Sequence, residues 1–257
     1  MMLRKLALLT SNCLCKRSSK VSFIDTIFFN ISNRSVQLDS VKFRYTKKDK
    51  KFYRFKKSED TVKQIYDAFL ILDFESTCME GFGTLKEQEI IEFPCLWLDG
   101  KTLQVTSQFH QFVKPKLCEQ LDPFCVTLTG INDDTLADQP HFETVLKDFL
   151  DWFEQQKTVN NAEKPVFVTS GDWDLKVMLP MQCQHSDIPV PTQMTKWINI
   201  KESFSISTGT YPYGLKHMLE ILELPFEGRL HSGIDDCKNI ANIVKKLAEG
   251  GLVLGAT

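Results

Sequence analysis

Residues 69–77 read Phe69-Leu70-Ile71-Leu72-Asp73-Phe74-Glu75-Ser76-Thr77. The first four form a short, continuous apolar run, the pattern of a strand buried on both faces. Two carboxylates follow at its C-terminal end. Side chains two apart on a strand share a face, so Asp73 and Glu75 point the same way while Phe74 points to the other side. Carboxylates at the end of a buried strand are costly unless something neutralises them. A hard divalent cation such as Mg²⁺ or Mn²⁺ does so best. Two solvated carboxylates at a strand end remain the alternative.

Outward from this run, Glu89 to Leu98 reads as a second strand, with Pro94 implying an edge or a bulge. Asp99-Gly100 signals a two-residue hairpin, and Leu103 to Val113 the returning strand. Phe142, Val145, Leu146, Phe149, Leu150 and Phe153 then follow helical spacing, with Pro140 near the start. Pro165 to Thr169 is another short buried strand. Asp174 to Leu179 predicts a helix that stops before Pro180, and Tyr213 to Leu222 a further one. Ile234 to Ala248 predicts the last, closed by Gly250-Gly251. Strands first, then helices alternating with a strand, predict an α/β fold with a mixed sheet flanked by helices.

The chain has 257 residues and a formal net charge of −2, with room for a basic extension over 1–66 and a domain over 67–257. Residues 1–66 carry 16 Lys/Arg against 5 Asp/Glu, and the remainder 15 against 28. A basic arm on an acidic domain suits contact with nucleic acid or with a targeting receptor; a solvated tail is the plain alternative. Residues 1–24 hold five Lys/Arg and several serines before the first acid, Asp25, a composition that fits a mitochondrial presequence. From Val41 to Lys63 basic residues alternate with Phe43, Tyr45, Phe52, Tyr53 and Phe55, as in a segment that grips single-stranded nucleic acid or in a linker. No apolar run is long enough to span a membrane, so no membrane partner is expected. The eight cysteines contain no CxxC pair, which argues against zinc. Without a convincing secretory signal, a reducing compartment is expected: cytoplasm or nucleus, with the mitochondrion competing through residues 1–24.

Two further stretches carry chemistry. Thr169-Ser170-Gly171-Asp172-Trp173-Asp174 follows a buried strand and opens a helix. Helix N-termini favour carboxylates, so capping competes with metal binding at both Asp172 and Asp174. In Arg229-Leu230-His231-Ser232-Gly233-Ile234-Asp235-Asp236, His231 sits on a loop just before a helix and Asp236 in the first turn of that helix. A lone histidine is more often structural; this one precedes an acid pair by a short, fixed interval.

Taken in chain order, Asp73-x-Glu75, Asp174 and His231-x4-Asp236 resemble the three exonuclease motifs of the DEDDh family. Within it the chain is similar to the Eri-type exoribonucleases. Phe74 to Cys78, Glu89 to Pro94, Leu128 to Ile131, Gly171 to Asp174, Lys196 to Asn199 and His231 to Asn242 carry that similarity, which runs from about residue 68 to 252. The resemblance implies a ribonuclease-H-like fold and a substrate RNA with a single-stranded 3′ end, hydrolysed to nucleoside 5′-monophosphates in 3′-end trimming or turnover. It implies two Mg²⁺ ions, replaceable by Mn²⁺, on Asp73, Glu75, Asp174 and Asp236, with His231 as general base. It places the terminal sugar near Glu75 and the backbone of Ser76, and the base against Thr77, Met79 and Trp173. The basic segment 42–57 would hold the upstream strand. The SAP nucleic-acid-binding helices of the histone-mRNA enzyme have no counterpart in the pattern, so stem-loop recognition is not carried over. Ser76 stands where Ala is common, a change small enough to leave activity expected. A DNA-preferring exonuclease with the same site, or a non-catalytic RNA-binding scaffold, are the alternatives. Presence of all five acid and histidine positions speaks against the scaffold.

Overall fold

A computed structural model describes residues 62–81 and 87–255. The presequence reading of 1–24, the strand-holding segment 42–57 and all of the basic extension except residues 62–66 lie outside these.

The run that opens the domain is β1 (Ala68–Leu72), and every one of its residues is buried. Its alternation feeds two cores. Phe69 and Ile71 join Leu96, Leu98, Val166, Val168 and Ile198 on one side; Ala68, Leu70 and Leu72 join Phe93, Cys95, Trp97 and Phe167 on the other. A strand buried on both faces needs helices on both, and the chain supplies them. The first face carries α5 (Ile200–Thr208), α6 (Leu215–Ile221) and α7 (Gly233–Glu249); the second carries α3 (Phe142–Val159) and α4 (Leu179–His185).

β1 pairs antiparallel with β3 (Ile90–Asp99) and parallel with β5 (Pro165–Thr169), which pairs parallel with β6 (Trp197–Asn199). β4 (Val105–Phe112) covers the other side of β3. The two residues of β2 (Glu75–Ser76) continue the line of β1 after a break at Asp73 and Phe74. The mixed sheet flanked by helices is as the sequence predicts.

Three local expectations need correction. β3 is not an edge: β4 pairs with it from Glu92 to Leu98, and β1 and β2 pair with its other side. Pro94 is tolerated because it stands opposite the break between β1 and β2, where no ladder bond is required. The other alternative, a bulge, is met nearby, where the register slips, with Glu75 facing Glu92 and Ser76 facing Ile90. The Asp99-Gly100 turn is longer than two residues. The Asp99 carboxylate accepts from the Thr102 N–H at 2.6 Å and its hydroxyl at 2.7 Å, and Leu103 turns with φ 55° before β4 begins. Gly100 remains necessary, because a β-carbon there would overlap the Tyr66 carbonyl oxygen. Finally, the helix does not stop before Pro180. Asp174–Met178 is a π-helical turn that runs into α4, with Pro180 in the first turn of α4. A proline clashes with the carbonyl four residues back in an α-helix; the widened turn lets the chain pass it.

The domain also extends N-terminal to β1. Gln64 is buried, and its amide donates to the Leu252 carbonyl at 2.9 Å and accepts from the Leu254 N–H at 3.0 Å.

Candidate active site

The site forms where β1 ends. Asp73 and Glu75 continue the odd-numbered register of Phe69 and Ile71, the face covered by α7. Phe74 goes the other way and packs edge-on against Phe93, ring centroids 4.7 Å apart. The π-helical turn after β5 brings Asp174 to the same place: its Oδ1 accepts the Phe74 N–H at 2.9 Å. Single π turns recur at functional sites because they redirect one side chain. Here that side chain is Asp174. Asp172 has a different duty. Its Oδ1 accepts from the Trp197 indole at 3.1 Å and the Asn199 amide at 3.2 Å, tying the turn to β6.

The third stretch arrives from the α7 side. His231 is held in the left-handed region, φ 62°, a strained setting for a non-glycine residue. Its N–H donates to Asp236 Oδ2 at 2.9 Å. Asp235 is drawn off by the Arg229 N–H at 3.0 Å and Lys238 Nζ at 2.9 Å, so Asp236 alone of the acid pair faces inward. Gly233 lets α7 approach the strand end: a β-carbon there would lie 2.7 Å from the Asp73 carbonyl oxygen and 2.9 Å from Pro94 Cγ.

Glu92 was not foreseen as part of this site. It is buried on β3, accepts the Gly233 N–H at 2.9 Å and the Ile234 N–H at 3.1 Å, and meets His110 Nε2 at 2.8 Å. It thereby fixes the start of α7, and with it Asp236. The available signal was a charge inside Ile90-Ile91-Glu92-Phe93, since a buried charge needs partners.

One donor atom each from Glu75, His231 and Asp236 lies within 4.8 Å of the others. Asp73 and Asp174 stand outside this tightest group but share its field. Burial pushes the Glu75 carboxyl up to about 8, and the charges of Glu92, Asp236 and Asp174 push the same way against Arg229. Burial first, then Asp174, Glu75, Asp236 and Glu92, raise Asp73 well above the usual carboxylate range. Burial raises Asp174 and Asp236 to about 6 each, against the Phe74 N–H in one case and the His231 N–H in the other. His231 is lowered from 6.5 by burial and by Arg229 and Lys216. Carboxylates that repel one another in a buried place call for a cation. Asp236 Oδ1 points the same way, being buried with no hydrogen-bond partner among the described residues. An oxygen-rich donor set of this kind fits a hard divalent ion.

The expected nucleotide contacts divide. Met79 and Trp173 keep large apolar surface in solvent, 37% and 40% exposed. Met79 also lines an open groove of about 570 Å³ with Pro123, Phe124 and Thr127. Ser76 is half-buried. Thr77 is buried, its hydroxyl accepting the Glu89 N–H at 3.0 Å, so its side chain braces the strand. Phe124 was not foreseen; it lies in α1 (Pro123–Thr129), a helix too short to leave a periodic pattern and followed by the single turn of α2 (Asp133–Leu136).

Residues 70–244 match the exonuclease family RNase_T. The chain is 47% identical over 195 residues to ERI1 exoribonuclease 3 of Bos taurus, covering 76% of this chain and 57% of that protein. It is 35% identical over 248 residues to 3′-5′ exoribonuclease 1 of Rattus norvegicus, covering 96% of this chain and 71% of the relative. Among solved structures, the nuclease domain of 3′hExo, a DEDDh family member bound to rAMP, superposes with a TM-score of 0.73 at 37% identity. That match covers 76% of this chain and 98% of the nuclease domain. The chain thus spans little more than half the length of the first of these relatives. No helix among the described residues is long and apolar enough to cross a membrane.

Proposed function

The chain belongs to the RNase_T exonuclease family, in its DEDDh branch, and from that membership we propose that it is a 3′→5′ exoribonuclease. It would shorten RNA from single-stranded 3′ ends and release nucleoside 5′-monophosphates. The observation that carries the reading is the convergence of Asp73, Glu75, Asp174, His231 and Asp236 on one buried field, with no hydrogen-bond partner for Asp236 Oδ1 among the described residues.

The family uses divalent metal ions. Asp73, Glu75, Asp174 and Asp236 would hold two, Mg²⁺ or Mn²⁺, whose charge would activate an attacking water and stabilise the leaving 3′-oxygen. The protein's own share is positional and protonic. His231, lowered from 6.5, is neutral at pH 7 and would take the proton of the attacking water. Its strained backbone, held by Asp236, fixes the imidazole beside the carboxylates. Glu75 and the Ser76 backbone would seat the terminal ribose, and Met79, Trp173 and Phe124 would offer apolar surface to its base. Such contacts read no sequence, which suits an enzyme that removes one nucleotide after another.

Incubating matched 3′-labelled RNA and DNA oligonucleotides with Mg²⁺ tests the proposal. Labelled nucleoside 5′-monophosphate, released faster from RNA, is expected. Faster release from DNA would overturn the RNA assignment, and 3′-monophosphate products would overturn the bond assignment.

A further inference from the structure

The surface between α5 and α6 carries the most exposed aromatic side chains among the described residues. Tyr213 is 92% exposed, Tyr211 62%, and Ile206 on the neighbouring helix 75%. Tyr213 is nonetheless ordered by its surroundings. Its ring stacks on the His217 imidazole, centroids 4.7 Å apart and planes 25° apart, and its N–H donates to His217 Nδ1 at 3.2 Å. Lys216 precedes His217 in the first turn of α6.

Lys216 connects this pair with the carboxylate site. It is exposed, and its Nζ lies 5.5 Å from the centroid of Phe226, in the segment that leads to His231. Its charge is felt at both His231 and Asp236. An exposed aromatic face stacked on His217, with a cation on the adjacent residue Lys216, on a domain whose other charges are mostly acidic, matches a single-stranded polynucleotide: stacking holds a base and the ammonium holds a phosphate.

We propose that Tyr213, His217 and Lys216 form a subsite for the RNA nucleotides just upstream of the scissile bond, a base stacking on Tyr213 and a phosphate on Lys216. The assignment rests on the exonuclease reading and names where its substrate strand leaves the site.

The test uses the full chain and two readouts. The first is the affinity for a 5′-fluorescein decanucleotide RNA, followed by anisotropy with Ca²⁺ in place of Mg²⁺ over a range of salt. The second is kcat/KM for the decanucleotide and for a dinucleotide in Mg²⁺. Tyr213→Ala is expected to weaken decanucleotide binding about 10-fold and to lower kcat/KM for the decanucleotide by that factor more than for the dinucleotide. Tyr213→Phe is expected to restore both. Lys216→Ala is expected to reduce the salt slope of binding by about one ion. Unchanged decanucleotide affinity in Tyr213→Ala, as for a surface that docks a protein, would overturn the subsite. So would equal losses on both substrates, which would mark a structural role. A wild-type chain that binds RNA through Tyr213 yet cleaves neither substrate would keep the subsite and overturn the exonuclease reading; one that does not bind RNA would overturn the subsite.

Discussion

Asp174 Oδ1 accepts the N–H of Phe74 at 2.9 Å, and Phe74 is the residue that separates Asp73 from Glu75. One hydrogen bond therefore locks the carboxylate of the π-helical turn onto the strand end that carries the other two. Asp174→Asn keeps an acceptor for that N–H and removes the charge. It is expected to melt at least as high as wild type without metal, because a repelling carboxylate is gone, while losing roughly 10²-fold or more in RNA hydrolysis. Asp174→Ala is expected to lose the bond as well and to melt lower. Thermal melts in EDTA and single-turnover rates in Mg²⁺ separate the two effects; an active Asp174→Asn would remove Asp174 from the site.

A second prediction concerns the attachment of α7. Glu92 accepts the first two N–H groups of that helix, at 2.9 and 3.1 Å. Glu92→Ala leaves both donors without partners, the Gly233 N–H buried and the Ile234 N–H half-buried. At about 1–3 kcal/mol for each such group, the loss outweighs the relief of its repulsion with the neighbouring carboxylates, and the melting temperature is expected to fall by roughly 5–15 °C. Glu92→Gln keeps one acceptor oxygen and should lie between. Gly233→Ala, which crowds the Asp73 carbonyl, is expected to depress activity more than stability, because the helix must shift away from the strand end. A stable, fully active Gly233→Ala would contradict the close fit.

Stability of the metal-free protein should depend on pH in a direction set by these acids. Folded Glu75 titrates near 8 from an ordinary 4.5, and Asp174 and Asp236 near 6 from 3.8. Each binds its proton more tightly in the folded state. The stability this contributes is therefore present at low pH and is lost as pH rises through the folded values. Asp99, Glu143 and Asp235 are shifted downward, so their opposite contribution is lost only on acidification below about pH 4. Between pH 5 and 8 the melting temperature in EDTA is expected to fall, and Mg²⁺ is expected to restore it, most strongly at the alkaline end. A flat profile in EDTA, or no response to Mg²⁺, would contradict a charge-repelling cation site.

Much of this is legible in the sequence. Phe69 to Leu72 announced a central strand because four apolar residues in a row can be buried only between two layers, and the Asp73–Glu75 register followed from the two-residue repeat of a strand. The family resemblance selects Asp174 over Asp172 and Asp236 over Asp235; the structure supplies the physical reason. Each rejected acid is taken by specific partners, Trp197 and Asn199 for one and Arg229 and Lys238 for the other, and such partners come together only in three dimensions. β6, with three residues, and α1, with seven, are too short for a period to emerge. The π-helical turn was hidden because Pro180 reads as a stop wherever α-helical geometry is assumed.

The central claim is that these five groups make one metal-dependent site acting from the RNA 3′ end. A time course on 5′-labelled RNA with a single-stranded 3′ tail tests it most directly, run in Mg²⁺, in EDTA and with Asp73→Asn. A ladder that shortens from the 3′ end, absent in EDTA and in the variant, is expected. Intact RNA with the wild-type protein in both Mg²⁺ and Mn²⁺, or an undiminished ladder with Asp73→Asn, would contradict it.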